Sequence, residues 1–439
     1  MLAFLLQVDA WVTDGQLRLF ALFMGMIWLL WTIRVILARH YWPVQYPWNG
    51  TTSVIIPVVD EPEDLFREVL ARIVEQQPTE VIVVINGPRN TALEKICADV
   101  GVQWSWTETA GKRNALRMGL VLSRGEISVL VDSDTLWTPG TLRELVKPFS
   151  DPRVGGVTAR QRILEPGRSV LTRWADWLEN VRAEYSMPAM SVLGTVGCLP
   201  GRTIAFRRSI LAGCMRRFLT ERFLGVLLEV SDDRTLTNYT LMAGYKTVYQ
   251  STSMVYTDAP TSLRGLVKQQ LRWARGSQYN TLRMMPWMLR ETPLLALFYG
   301  ADIVVPFVLV GSYLAWGVAL VGGRKTPLYD QLPLPGPGWQ ALLFILALSL
   351  SMTLLSLAIR FGRHFSSRPR DMVYLPAFML INVLVLMPIR VLGFFRMGHN
   401  AGWGTRSNAF RGASARNVQA MIPYLLGGAM LAGAVLVSV

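Results

Sequence analysis

Cysteine and histidine are scarce, with three of each in 439 residues. Cys97, Cys198 and Cys214 share no spacing that would build a disulfide framework, which suits a reducing compartment. No histidine-rich tract, CxxC pair, Walker-type glycine loop or Ser–His–Asp constellation occurs. Internal repeats and low-complexity segments are also missing. Acids are in short supply: 30 Asp and Glu face 44 Lys and Arg, a formal charge of +14. Such a balance raises nucleic acid as a partner. The bases are scattered, however, and many flank apolar segments, as Arg360, Arg363, Arg368 and Arg370 do. Anionic lipid headgroups explain them more simply, so no nucleic-acid partner is expected.

Apolar residues make up 51% of the chain and the mean hydropathy is +0.31. They concentrate at the two ends. The segments 17–38, 294–321, 340–359 and 418–439 are each about long enough to span a bilayer. The first lacks a small-residue cleavage site and reads as a retained helix, not a signal peptide. Its flanks are Asp9 and Asp14 on one side, Arg34, Arg39 and His40 on the other. The positive-inside rule then puts residues 50–290 in the cytoplasm, beneath the cell membrane. A fifth apolar segment, 372–395, carries Pro376, Pro388 and Arg390. Residues 396–417 hold Arg396, His399, Arg406, Arg411 and Arg416 without an acid, which disfavours an outside location. The expectation is that 372–395 lies along the interface or re-enters, its backbone broken at the prolines. Three regions follow: an N-terminal membrane helix within 1–49, a cytoplasmic domain over 50–290, and a membrane region over 291–439 with a loop at about 396–417.

Residues 50–290 have soluble patterning. SVIIPVV (53–59), EVIVVING (80–87), 102–107 and EISVLVDSD (126–134) read as strands. A helix follows Pro62, with Leu65, Phe66, Val69, Leu70 and Ile73 at helical spacing, and others cover 112–124 and 139–149. Strands alternating with helices predict an α/β fold with a mostly parallel sheet, whose ligands bind at the carboxyl ends of strands. Asp60, Asn86, Asp132 and Asp134 lie at such ends. Residues 168–187 form an amphipathic helix with Val170, Leu171, Trp174, Leu178 and Val181 on one face; Arg173, Asp176, Glu179 and Arg182 fall elsewhere. It is either a surface helix packed on the domain or an interfacial helix at the membrane.

Four motifs carry chemistry. Asp132-Ser133-Asp134 ends an apolar strand, and two carboxylates there can hold a divalent cation, Mg2+ or Mn2+, that bridges to substrate phosphates. Lys112-Arg113 opens a helix and is either a diphosphate contact or a solvated basic turn. Asp232 and Asp233 also begin a helix; one suffices as a cap, and the other is placed to act as a general base. Gln269, Arg272 and Trp273 share a helical face by their spacing, Arg suiting a phosphate and Trp a sugar ring. Trp403-Gly404-Thr405-Arg406 reads as a closing loop.

The set resembles the processive, membrane-integrated family 2 glycosyltransferases: hyaluronan synthases, the pneumococcal type 3 capsule synthase and the catalytic subunit of cellulose synthase. SDDRTLTN, VYTDAPTS and QQLRWARGSQYN are most similar to the hyaluronan and type 3 capsule branch. The resemblance implies a GT-A type nucleotide-sugar transferase domain inserted between transmembrane helices, with interfacial amphipathic helices. It implies UDP-sugar donors, bound in part by Asp60, Lys112 and Asp132, and a metal on Asp134. It makes Asp233 the base, Gln269, Arg272 and Trp273 the diphosphate and acceptor platform, and Trp403 and Arg406 part of a gating loop. The implied product is a β-linked polysaccharide exported across the membrane, from UDP-glucose and UDP-glucuronic acid first and as hyaluronan second; single transfer to a lipid carrier is a further alternative. Two departures stand out. Asn86-Gly87 replaces an acidic pair common in relatives, and GCLPGRTIAF (197–206) replaces an SGP-type segment near the acceptor. The chain ends on an apolar segment, so no c-di-GMP-binding domain is expected.

Overall fold

The computed structural model describes residues 15–109, 111–227, 229–321, 338–399 and 418–438. The chain divides into two compact units. One comprises Arg34–Ala296 with Met397–Ala420; the other comprises Met1–Ile33, Leu297–Arg396 and Met421–Val439.

The first unit is α/β. Its strands are β1 (Thr52–Val58), β2 (Glu80–Asn86), β3 (Gln103–Thr107), β4 (Ile127–Val131), β5 (Leu136–Trp137), β6 (Val154–Ile163), β7 (Thr203–Arg207), β8 (Arg222–Phe223), β9 (Val226–Leu227) and β10 (Lys246–Thr257). Eight form one sheet in the order β3-β2-β1-β4-β7-β6-β10-β5, while β8 and β9 make a separate hairpin. The pairs β3–β2, β2–β1, β1–β4 and β6–β10 are parallel. Buried on both faces, β1 and β4 are apolar runs rather than alternating ones. The helix Glu63–Val74 buries Phe66, Val69, Leu70 and Ile73 against this layer, the one-face spacing expected from the sequence. Each such side chain contributes about 1.5–3 kcal/mol by leaving water.

One antiparallel strand positions the site. β7 runs between β4 and β6, and Thr203 pairs with Val131. The start of β7 therefore lies beside the end of β4. Residues just before Thr203 meet residues just after Val131, and the Asp132 amide donates to the Arg202 carbonyl at 3.1 Å.

Three local expectations need correction. The helix expected from Pro139 begins at Thr141, because Gly140 takes a left-handed φ of 83° and serves as its N-cap. In the helix Val170–Val181, Asp176 and Glu179 are buried, while Val170 stays exposed and Leu171 and Leu178 are half-buried. Its polar face turns into the domain because partners wait there: Arg162 bonds Asp176 at 3.3 Å and Arg202 bonds Glu179 at 3.0 Å. The break expected in 372–395 is absent. Residues 369–395 stay helical through Pro369–Tyr374, Leu375–Leu380, the π-turn Ile381–Leu386 and Met387–Phe395. A second π-turn, Arg182–Ser186, likewise precedes a proline, Pro188 in Met187–Val192. A pyrrolidine ring collides with the carbonyl four residues back; the wider π-turn removes that clash without breaking the helix.

The second unit is helical. It holds most of Gly15–Arg39 and Pro293–Val321, with all of Gly338–Arg360 and Ile422–Ser438. All five apolar segments of the sequence are thus helical. Among the described residues, Pro293–Ala315 and Pro369–Phe395 are long and apolar enough to cross a membrane, with mean hydropathies of 2.1 and 2.2. Phe307 packs edge-on against Phe394 at 5.1 Å, and the Arg360 guanidinium lies 5.6 Å from the Trp28 ring.

Candidate active site

A pocket opens where the end of β4 meets the start of β7, lined by Lys112, Asp132, Gly201, Asp232 and Asp233 among others. Lys112 is the first residue of its helix, and its Nζ bonds Asp132 Oδ1 at 2.5 Å. Burial favours a neutral amine there, yet Asp132 and Asp232 outweigh it and hold the Lys112 pKa above its ordinary value. The pocket thus keeps a charged ammonium beside Asp132.

Arg113 does something else. It is 3% exposed. Its Nε donates to Asp232 Oδ1 at 2.8 Å, Nη1 to the Phe218 carbonyl at 2.5 Å and Nη2 to Glu221 Oε2 at 2.9 Å. The diphosphate reading of the Lys112-Arg113 pair therefore narrows to Lys112, because Arg113 is consumed inside the domain.

The same bond sorts the two aspartates. Asp232 is buried at 7% exposure and pinned by Arg113. Asp233 is half-buried and faces Gly201, whose amide donates to its Oδ2 at 3.1 Å. A side chain on Gly201 would come within 3.3 Å of the Asp233 Cβ, so a glycine lets this amide approach. Ser231, just before the pair, sits in the left-handed region at φ 63°, an uncommon place for serine. Its back rests on Gly276 of the helix Leu263–Glu291; a Cβ at 276 would lie 2.6 Å from that of Ser231.

Asp134 is half-buried and forms no ion pair among the described residues. Burial and the neighbouring Asp132 push its carboxyl pKa up. No cluster of three or more His, Cys, Asp or Glu that could hold a metal occurs among the described residues. Two carboxylates, one already engaged by Lys112, fit a hard cation that draws its remaining oxygen ligands from substrate phosphates. The middle residue is tied down separately: Ser133 Oγ donates to Glu61 Oε1 at 2.7 Å.

Gln269, Arg272 and Trp273 lie on the helix Leu263–Glu291. Burial lowers the Arg272 pKa, and Asp132, Asp233, Asp232 and Asp134 act against it, which puts this guanidinium in the field of all four acids. Trp273 is 36% exposed, and the Arg202 guanidinium lies 5.7 Å from its ring centre. Burial pushes the Cys198 thiol up to about 12. Asp60 is exposed beyond β1 and does not line the pocket. Asn86 faces inward, its amide placed to donate to the Val58 carbonyl at 3.0 Å and accept from the Gly111 amide at 3.1 Å. That brace holds an amide that is only 1% exposed inside the domain. Trp403 and Arg406 lie outside the described residues.

Sequence reasoning singled out the segment 197–206 but not the roles of Gly201 and Arg202 within it, nor Glu61. A glycine–arginine pair directly before a strand was the only signal available.

The sequence profile of glycosyltransferase-like family 2 matches residues 49–276, more than half of the chain. The chain belongs to this family. As a family 2 glycosyltransferase it is 26% identical over 373 residues to the hyaluronan synthase of Streptococcus pyogenes, covering 82% of this chain and 84% of that one. It is 27% identical over 376 residues to an N-acetylglucosaminyltransferase of Mesorhizobium japonicum, covering 84% of each. Among solved structures it is similar to a mannosyltransferase of Pyrobaculum calidifontis in complex with GDP-mannose and Mn2+. The TM-score is 0.57 at 22% identity, over 84% of this chain and 98% of that one. That likeness shows the GT-A-like α/β fold for this glycosyltransferase.

Proposed function

We propose that this glycosyltransferase is a processive, inverting polysaccharide synthase. It would use UDP-sugars, UDP-glucose and UDP-glucuronic acid first, and pass the β-linked product across the cell membrane from a cytoplasmic catalytic domain. The observation that carries this reading is the convergence of Lys112, Asp132 and Asp233 on one pocket, within the field of Arg272.

Asp233 would take the proton from the acceptor hydroxyl as its oxygen attacks the anomeric carbon. The bond to the diphosphate oxygen breaks on the opposite face, and UDP departs with the electron pair. Lys112 and Arg272 are disposed to stabilise the charge that develops there. Asp134, with Asp132, would hold Mg2+ or Mn2+, which supplies further counter-charge to the diphosphate. Gln269 and Trp273 would line the acceptor path, Asp60 would contact the nucleoside, and Trp403 and Arg406 would close over the donor. The Arg113–Asp232 bond supports Asp233 as the base, since Asp232 is committed to the fold.

The hyaluronan synthase and N-acetylglucosaminyltransferase relatives favour a second reading, a hyaluronan polymer from UDP-N-acetylglucosamine and UDP-glucuronic acid. The test is incubation of the purified, membrane-embedded protein with defined pairs of UDP-sugars, followed by mass analysis of the product. Long polymer from one pair supports the proposal; UDP release with only single-unit products overturns processivity.

A further inference from the structure

Arg113 closes a loop. Its guanidinium donates to the Phe218 carbonyl at 2.5 Å and to Glu221 Oε2 at 2.9 Å on one side. On the other side it donates to Asp232 Oδ1 at 2.8 Å and, at the longer distance of 3.5 Å, to the Val230 carbonyl. Its Cζ also lies 4.5 Å from the centre of the Phe218 ring. One side chain thereby joins the end of the helix Arg208–Leu219 to the start of the helix Asp232–Met242, across the β8–β9 hairpin.

The second pair of contacts brackets Ser231. Val230 precedes that residue, Asp232 follows it, and its own φ is 63°. A non-glycine backbone in the left-handed region persists only where the surrounding structure over-determines it. The carbonyl before Ser231 has two holders, since Tyr279 Oη also donates to it at 2.7 Å. The carboxylate after it has one: among the described residues, Arg113 alone hydrogen-bonds the Asp232 side chain. Asp233 comes next, about 100° further round the helix. Its Oδ2 accepts from the Gly201 amide at 3.1 Å, while Oδ1 accepts from the Arg234 amide at 2.7 Å and from Ser231 Oγ at 3.3 Å. A rotation of the helix start that released Asp232 would swing Asp233 away from Gly201 by the same angle.

We infer that Arg113 is the positioning residue of the base. It acts through Asp232 and the turn at Ser231, fixing the start of the helix so that Asp233 faces Gly201 and the pocket. This inference rests on the reading of Asp233 as the base and adds the residue that aims it. Lysine would keep the positive charge between Asp232 and Glu221, but it has no planar fork to reach both sides of the loop at once.

The test measures UDP release by the full-length protein in lipid nanodiscs for the parent, Arg113→Lys, Asp233→Asn and the double variant, below the melting temperature of all four. Inhibition by UDP reports the donor site. Arg113→Lys should lower turnover roughly 10²-fold, the cost of a misplacement of about 1 Å at the reacting groups, with donor KM and UDP inhibition little changed. In the Asp233→Asn background the same substitution should cost nothing further, because residues acting as one unit are not additive. A residue that only supports the fold would lower turnover by the same factor in both backgrounds. That outcome, or near-parent turnover in Arg113→Lys, would overturn the inference. So would a weakening of UDP inhibition as large as the loss of turnover, which would place the effect at Lys112. Near-parent turnover of Asp233→Asn alone would sink the base assignment and this inference with it; an inactive Asp233→Asn beside additive losses would sink the inference alone.

Discussion

Asparagine at position 232 and at position 233 should damage this enzyme in opposite ways. Asp232 meets the Arg113 Nε at 2.8 Å, with side chains only 8% and 4% exposed. Removing one partner of a buried pair costs about 3–5 kcal/mol when the other is stranded. Arg113 is not stranded, because Glu221 remains at 2.9 Å and an asparagine oxygen can still accept from Nε. The expected loss therefore falls to about 1.5–3 kcal/mol, the worth of a hydrogen bond to a charged group. At about 2–4 °C per kcal/mol for a unit of this size, Asp232→Asn should melt roughly 3–12 °C below the parent. Asp233 accepts from the Gly201 amide through Oδ2 and from the Arg234 amide through Oδ1; an asparagine oxygen could keep one of these, so Asp233→Asn at this half-buried site should cost about 0.5–1.5 kcal/mol and melt less far below the parent. Turnover should fall by about 10²–10⁴, the range for a lost general base. The assay pairs thermal melting with UDP release, and UDP binding should survive in both variants. An Asp233→Asn enzyme with near-parent turnover, beside a fully stable but inactive Asp232→Asn enzyme, would refute the assignment.

Asp134→Asn and excess EDTA should each abolish sugar transfer, and Mn2+ should rescue only the chelated parent; polymer synthesis in EDTA would contradict the metal site. Burial pushes the Glu179 carboxyl up, but Arg182 and Arg202 outweigh it and its pKa is lowered from the ordinary 4.5. The folded state thus binds this proton less tightly than the unfolded chain. The stability it contributes is present above about pH 4.5 and drains away as pH falls through the folded value. Glu179→Gln should flatten the acid limb of melting temperature against pH; an unchanged limb would argue against the paired carboxylate. Asn86→Ala should destabilise by about 1–3 kcal/mol, since Val58 and Gly111 each lose a buried partner. Its donor KM should rise as the start of the Lys112 helix loosens, and a donor KM equal to the parent's would count against the brace.

The central strands were legible because burial on both faces makes them continuous apolar runs. β10 was not. Its Thr247, Gln250 and Ser253 are buried polar residues, bonded to Val196, Val44 and Thr141. Those side chains erase the alternation that marks a strand. The acids of the site could be found by type and position, but neighbours one residue apart could not be sorted. Lys112 and Arg113, like Asp232 and Asp233, point about 100° apart on their helices, and only the packing of the sheet decides which of each pair faces inward. The burial of Val170–Val181 stayed open for a related reason: hydrophobic periodicity records where apolar residues fall, not which polar ones have partners waiting.

Ser231 carries a wider consequence. Its left-handed backbone leads into the aspartate pair, and its side chain finds room because residue 276, far along the chain, has no side chain. A methyl group at 276 would bear no charge, yet it would press on the residue that leads into the proposed base. Helix Leu263–Glu291 thereby acts as a mould for the turn of the proposed base and also carries Arg272. A library screened for activity should find position 276 as intolerant as the acids themselves, with the damage falling on turnover before it reaches donor binding.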